Sequence, residues 1–205
     1  MPDLMGQSKR VFSTTANRKW RTEMEIGDVL GDYLEFYLRQ ASRLTELGID
    51  IADYEVSHLA FRVETYREYV GVRDNIETHC VANVENVWNG RPISKLLLRD
   101  ALDLGNDVNV SLIELIPPVH RSVNKIGLEH VGIVLGDAID EFARIHKSVL
   151  TGQQFQSEFC DPYLITFDDH TTIKLYRHSL MDVCIKEGHS FDGFYHVDDW
   201  SGGDC

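Results

Sequence analysis

Two histidines and one glutamate, spread over separate strand-like segments, are the residues of this chain whose types and spacing can do chemistry. His58 opens the apolar segment 58–63, and His130 opens a matching segment, 130–135, 72 residues later. Glu114 stands between them inside the apolar run 111–116. A carboxylate is costly to bury unless it is paired or bound to a cation. Two imidazoles and one carboxylate from three strands can make a three-point metal site with open positions for a substrate. The plainer alternatives are histidines hydrogen-bonded to backbone at strand ends, and a Glu114 that is ion-paired with Lys174 or Arg62.

The elements that must position these residues follow from periodicity. Between Glu25 and Leu47, the residues Leu30, Leu34, Tyr37, Leu38, Ala41 and Leu44 recur at spacings of three and four, which predicts one amphipathic helix stopped at Gly48. A strand over about 55–63 follows, then a helix capped by Thr65 and running to about 78. Next come a strand at 80–87, a hairpin turn at Asn89-Gly90, and strands at 93–98 and 108–116. The order then recurs: a strand at 128–135, a helix at 137–150, short strands at 153–159 and 163–167, and a closing strand at 171–177. The predicted fold is α+β, with paired βαβββ modules forming a curved eight-stranded open barrel, or cup, and an additional N-terminal helix.

Side chains alternate along a strand. One face of the first strand therefore carries His58, Ala60 and Arg62, and the fourth carries Leu112, Glu114 and Ile116. The fifth carries Leu128, His130, Gly132 and Val134, and the eighth carries Thr172, Lys174, Tyr176 and His178. These faces line the cup. Leu59, Phe61, Val131, Ile133, Ile173 and Leu175 pack under helices on the other side, where alternation also puts Glu129. Lys174 stands at the position matched to Glu114.

The chain's 205 residues suit one domain or two small halves, and 43% hydrophobic with 26% charged residues is ordinary for a globular protein. The net charge of −13 argues against nucleic-acid binding, and no apolar run reaches the ~18 residues of a membrane helix. The scattered cysteines Cys80, Cys160, Cys184 and Cys205 read as reduced thiols of a cytoplasmic protein. Residues 1–24 form a basic arm, for which a mitochondrial transit peptide is the alternative to a disordered extension. A domain at 25–186, with modules at about 55–118 and 127–178, precedes an acidic C-terminal extension at 187–205. His79, His120, His146 and His170 read as surface residues. Monomer and homodimer both remain open.

Five segments carry a resemblance: His58-Leu-Ala-Phe-Arg62, Asn89-Gly-Arg-Pro-Ile93, Ser111-Leu-Ile-Glu-Leu115, Gly127-Leu-Glu-His-Val131 and Thr171-Thr-Ile-Lys174. In this order and register, the chain resembles the YecM family, within the vicinal-oxygen-chelate superfamily of glyoxalases, bleomycin-resistance proteins and extradiol dioxygenases. The resemblance implies metal ligands on the first, fourth, fifth and eighth strands, here His58, Glu114, His130 and Lys174. A protonated lysine has no lone pair for a metal, so three ligands are expected. The implied cofactor is a divalent ion (Fe, Mn, Ni or Zn), and the implied partner is a small anionic, carboxylate-bearing molecule. Arg62 and Lys174 are expected to anchor that anion and to take part in catalysis. Arg91 is a further anion contact or a turn residue, and Tyr176 a pocket acid or core. His178 is the alternative fourth ligand. Isomerase, lyase and dioxygenase chemistry all fit this set. A ligand-sequestering protein without turnover is the alternative.

Overall fold

The computed structural model describes residues 24–118 and 125–197. Expectations for the N-terminal arm up to residue 23, for His120, and for the end of the acidic extension from residue 198, with Cys205, lie outside the described residues.

The two modules appear in order. Strand β1 (Glu55–Arg62) leads through helix α3 (Tyr66–Glu77) to β2 (Cys80–Trp88), β3 (Arg91–Asp103) and β4 (Asn109–Ile116). Strand β5 (Gly127–Val134) leads through a 3-10 turn and α4 (Ile139–Ile145) to β6 (Gly152–Gln153), β7 (Tyr163–Thr166) and β8 (Thr172–Tyr176). In each module the first strand pairs in parallel with the last, and β1 pairs antiparallel with β5 at the seam. The resulting order, β6-β7-β8-β5-β1-β4-β3-β2-β9, is a mixed, curved, open sheet with the two histidine-bearing first strands at its centre. The ninth strand, β9 (Phe194–Tyr195), lies outside the expected eight. It comes from the C-terminal extension and adds in parallel to the edge of β2.

Local chemistry explains most boundaries. Thr65 Oγ1 accepts the Glu68 N–H at 3.1 Å and starts α3, as its position predicts. Asn89 (φ 51°) and Gly90 (φ 75°) both take the left-handed conformation that a two-residue hairpin needs. The predicted N-terminal helix is broken in two, α1 (Ile26–Leu30) and α2 (Tyr33–Glu46). Gly31 leaves helical space at φ 77°, and the Asp32 carboxylate then caps a fresh start. The break resets the helical phase. Phe36, Tyr37, Gln40 and Leu44 are buried, whereas Leu34 and Leu38, expected on the apolar face, are exposed. The strand expected at 153–159 shrinks to β6, and the helix expected at 137–150 ends at Ile145.

The main core lies between sheet and helices, where Leu59, Val131, Ile133, Ile173 and Leu175 meet Leu44, Tyr69, Ile76 and Phe142. The other face is the cup. Helix α5 (Leu180–Lys186), absent from the predicted elements, packs on that side: Val183 clusters with Tyr176 and Cys160. Cys80, Cys160 and Cys184 are buried free thiols. No helix among the described residues is long and apolar enough to cross a membrane.

Helix α2 is fastened to the β7–β8 turn by a polar clamp. Arg43 grips both oxygens of Asp169, at 3.1 and 2.9 Å, and reaches Thr171 Oγ1 at 2.9 Å. Its guanidinium also lies 4.7 Å from the centre of the Phe167 ring. Burial would raise the Asp169 pKa, but Arg43 and Thr171 outweigh it and hold the carboxyl below the usual range. Arg43→Ala should cost about 1–2 kcal/mol, since it removes a charge-assisted pair that is only partly exposed. A carboxyl with a depressed folded pKa stabilises above its unfolded value and loses that contribution as pH falls. The difference in urea midpoint between wild type and Asp169→Asn should therefore shrink below about pH 4. An unchanged gap down to pH 3 would refute the assignment.

Candidate metal centre

Two β-bulges shape the centre of the sheet. Along β1, Val56 pairs with Ile133 and His58 with Gly132, so Ser57 is an extra residue on its strand. Along β5, His130 pairs with Ala60 and Leu128 with Phe61, so Glu129 is the extra residue. A bulge turns two consecutive side chains to one face. Ser57 therefore joins His58 in the cup, and Glu129 joins His130. Two expectations are corrected by this local break in alternation. Glu129 lies on the cup face, and Leu128 packs against the helix-side core.

His58 and His130 have fully buried rings, and Glu114 reaches them from β4. The two Nε2 atoms are 3.3 Å apart. Glu114 Oε2 lies 3.1 Å from His130 Nε2 and 3.8 Å from His58 Nε2. Apart from these two imidazole contacts, the buried Oε2 has no partner among the described residues. Ligands at ~2.1 Å from a metal, set ~90–110° apart, lie about 3.0–3.4 Å from one another. The three atoms fall on or near that spacing and form a group able to hold an ion.

Outer partners hold the rings. His58 Nδ1 contacts Ser57 Oγ at 2.9 Å, and Ser57 Oγ accepts the Leu180 N–H at 2.7 Å. His130 Nδ1 faces Glu129 Oε1 at 3.4 Å. Small residues make room: Ala60 sits opposite His130, and Gly132 opposite His58. A Cβ on Gly132 would lie 2.4 Å from His58 Cε1. The His58 ring also packs edge-on against His130 and Tyr176, with centroids 5.3 and 5.4 Å away.

The electrostatics keep the donor atoms available. Burial pushes His58 down to about 3, helped by His130, Lys174 and Lys95 and opposed by Glu114, so its ring is neutral near pH 7. Burial would raise Glu114, but His130, Lys174 and His58 outweigh it and hold the carboxyl well below the usual range. A buried carboxylate beside a neutral imidazole is a donor set suited to a divalent cation.

The other expected site residues are differently placed. Lys174, on β8, pairs in register with Gly132 and makes no hydrogen bond or ion pair among the described residues, though its charge acts on Glu114 and His58. Arg62 faces the cup, but its guanidinium is engaged. Nε and Nη2 bind the Glu129 carboxylate, and Nη1 donates to the Pro117 carbonyl at 3.1 Å. Arg91 lies over Trp88 at 5.9 Å, and its buried Nε has no hydrogen-bond partner among the described residues. Burial lowers its pKa, as does Arg62, while Glu129 and Glu114 oppose, which places it within their field. The Tyr176 hydroxyl is raised well above its ordinary value, first by burial and then by Glu114 and Cys160. His178 belongs to no metal-capable group among the described residues.

Sequence reasoning missed Lys95. This buried residue pairs in register with Glu114, and its Nζ is held by Asn86 Oδ1 and by the Ile93 carbonyl at 3.2 Å. A lysine inside the apolar run of β3, one strand from Glu114, was the available signal.

Comparisons with known proteins bear on the fold. The family model described as YecM protein matches residues 25–187. The structure of a protein named EC4020 superposes with TM-score 0.62 at 23% identity, covering 78% of this chain and 91% of that one, which supports a shared fold. A candidate dioxygenase from Bacillus subtilis subsp. subtilis str. 168 gives TM-score 0.42 at 10% identity, over 62% of this chain and 41% of that one. The fosfomycin resistance protein FosX from Listeria monocytogenes, solved with Mn(II) and sulfate, gives 0.26 at 10% identity, over 63% and 94%. At such scores, nothing about this chain's chemistry follows from these two. No curated protein matches the chain.

Proposed function

This chain belongs to the YecM protein family, and we propose that it is a metal-dependent enzyme of the vicinal-oxygen-chelate type acting on a small anionic, carboxylate-bearing substrate. One observation carries this reading: three donor atoms converge on one point, and the buried carboxylate oxygen among them has no partner among the described residues other than the two imidazoles. His58, Glu114 and His130 would hold the ion. A bound divalent ion supplies Lewis acidity to substrate oxygens at its open positions. Fe, Mn, Ni and Zn all accept such a set.

The cations around the centre support an anionic substrate. Among the described residues Lys174 makes no hydrogen bond or ion pair and the buried Arg91 Nε has no hydrogen-bond partner, and these two groups would hold the carboxylate against the metal. Tyr176 and the apolar wall of Ala60, Ile93 and Ile116 would exclude water from the reacting atoms. Arg62, engaged by Glu129, would act on the ligand set and not on substrate. Isomerase or lyase chemistry and ring-opening oxygenation both suit this arrangement. The second reading is a binding protein without turnover, in which Lys95 and Lys174 neutralise Glu114; the register pairing of Lys95 with Glu114 favours it.

Elemental analysis of protein purified without chelators separates the two. The proposal expects about one equivalent of a divalent transition metal in wild type, and less than about one tenth in His58→Ala and His130→Ala. A folded wild-type protein that stays below one tenth after incubation with Mn(II), Fe(II) and Zn(II) would sink it.

A further inference from the structure

We propose that Glu129 is a positioning residue for this centre, acting through His130 and itself set by Arg62; the inference rests on the metal reading above. The two bulges give the halves the same device with different chemistry. Ser57-His58-Leu59-Ala60 and Glu129-His130-Val131-Gly132 align across the duplication: a polar bulge residue, the ligand histidine, a core residue and a small residue. In each half the bulge residue faces the histidine's Nδ1.

A carboxylate has no proton to donate, so an imidazole beside it must present N–H. When His130 ligates through Nε2, Glu129 thus holds its N–H on Nδ1 and leaves the Nε2 lone pair turned toward Glu114 and His58. An anionic partner on the outer nitrogen also makes the imidazole a better donor. Ser57 offers His58 only a neutral hydroxyl, which also accepts the Leu180 N–H. The centre is therefore uneven, with His130 the stronger ligand.

Arg62 explains how the negative charge survives burial. It straddles both Glu129 oxygens and so places a counter-charge directly on the buried carboxylate. The same grip fixes the carboxylate's plane. Glutamine at 129 keeps the volume but must turn an NH2 toward either an Arg62 donor or the His130 N–H.

Co(II) titration of the full chain, read by calorimetry and by the visible d–d spectrum, tests the assignment. Glu129→Gln should weaken Co(II) binding about 10–100-fold and shift the spectrum. Because that variant leaves Arg62 without its counter-charge, the neutral pair Glu129→Gln/Arg62→Gln serves as a second variant. It should regain thermal stability yet keep the weakened binding, which a purely structural role would not produce. Ser57→Ala should weaken binding less than Glu129→Gln. Wild-type protein that takes up no Co(II) overturns the metal reading and this inference with it. Wild-type uptake, with both Glu129 variants within twofold in affinity and unchanged in spectrum, overturns the inference alone.

Discussion

Gly132→Ala is expected to abolish metal binding and to lower the melting temperature, although it adds only one methyl group to a residue that is not itself a ligand. The new Cβ would lie 2.4 Å from His58 Cε1, 2.5 Å from Nδ1 and 3.1 Å from Nε2. The ring has nowhere to go. It is fully buried, held by Ser57 on one nitrogen and flanked edge-on by His130 and Tyr176. Relief requires either a swing of the imidazole away from Glu114 or a shift of β5 against β1, and both break the three-atom convergence. Overpacking of this kind costs about 1–3 kcal/mol, or about 2–12 °C in a chain of this size. The double variant His58→Ala/Gly132→Ala removes the obstacle, so its stability should be close to that of His58→Ala alone; coupled neighbours are non-additive in this way. Differential scanning fluorimetry and elemental analysis on the three variants provide the check. A Gly132→Ala protein with wild-type metal content would show that His58 is not held where a ligand must be.

The positions of His58, Glu114 and His130 were legible because strand alternation needs only a period and a starting phase. Leu59, Val131, Ile173 and Leu175 in the helix-side core show that both were read correctly. Alternation fails where a strand gains a residue. Ser57 and Glu129 are such residues, and no composition rule marks a bulge. The duplication itself held a signal, since a polar residue precedes and a small residue follows each histidine at matched offsets. Arg62 was read as a free clamp because its partner had been assigned to the wrong face. Leu34 and Leu38 were placed in the core because a single phase was run through Gly31, where the backbone leaves helical space. β9 and α5 went unread for a different reason. Both are short: β9 is a two-residue piece of the polar tail stabilised by the edge it docks on, whereas α5 carried signals, the Ser179 cap and the apolar Leu180, Val183 and Cys184 at helical spacing, in only seven residues.

Saturating divalent metal should raise the melting temperature of the wild-type protein by about 5–10 °C. A ligand that binds only the folded state, present at about 100 times its Kd, adds about 2.7 kcal/mol, and each kcal/mol moves a chain of this length by about 2–4 °C. Excess chelator should reverse the rise. Glu114→Gln is the informative variant because the two functional readings predict different parts of its behaviour. Both predict a lower baseline, since Lys95 is almost fully buried opposite Glu114 and loses the carboxylate that most favours its charge. Breaking one side of a buried charge pair is costly whatever the site is for. The baseline therefore cannot tell a ligand from an ion-pair partner, and the metal-dependent increment can. If Glu114 coordinates, the variant's rise should fall below about 2 °C at a metal concentration that saturates wild type. If Glu114 serves only to neutralise Lys95 and Lys174, the variant melts lower but keeps whatever rise the wild type shows. A full increment in Glu114→Gln would remove the carboxylate from the ligand set. Two neutral imidazoles would then be left to hold the ion, and the open face assigned to substrate would have to be redrawn around Glu114.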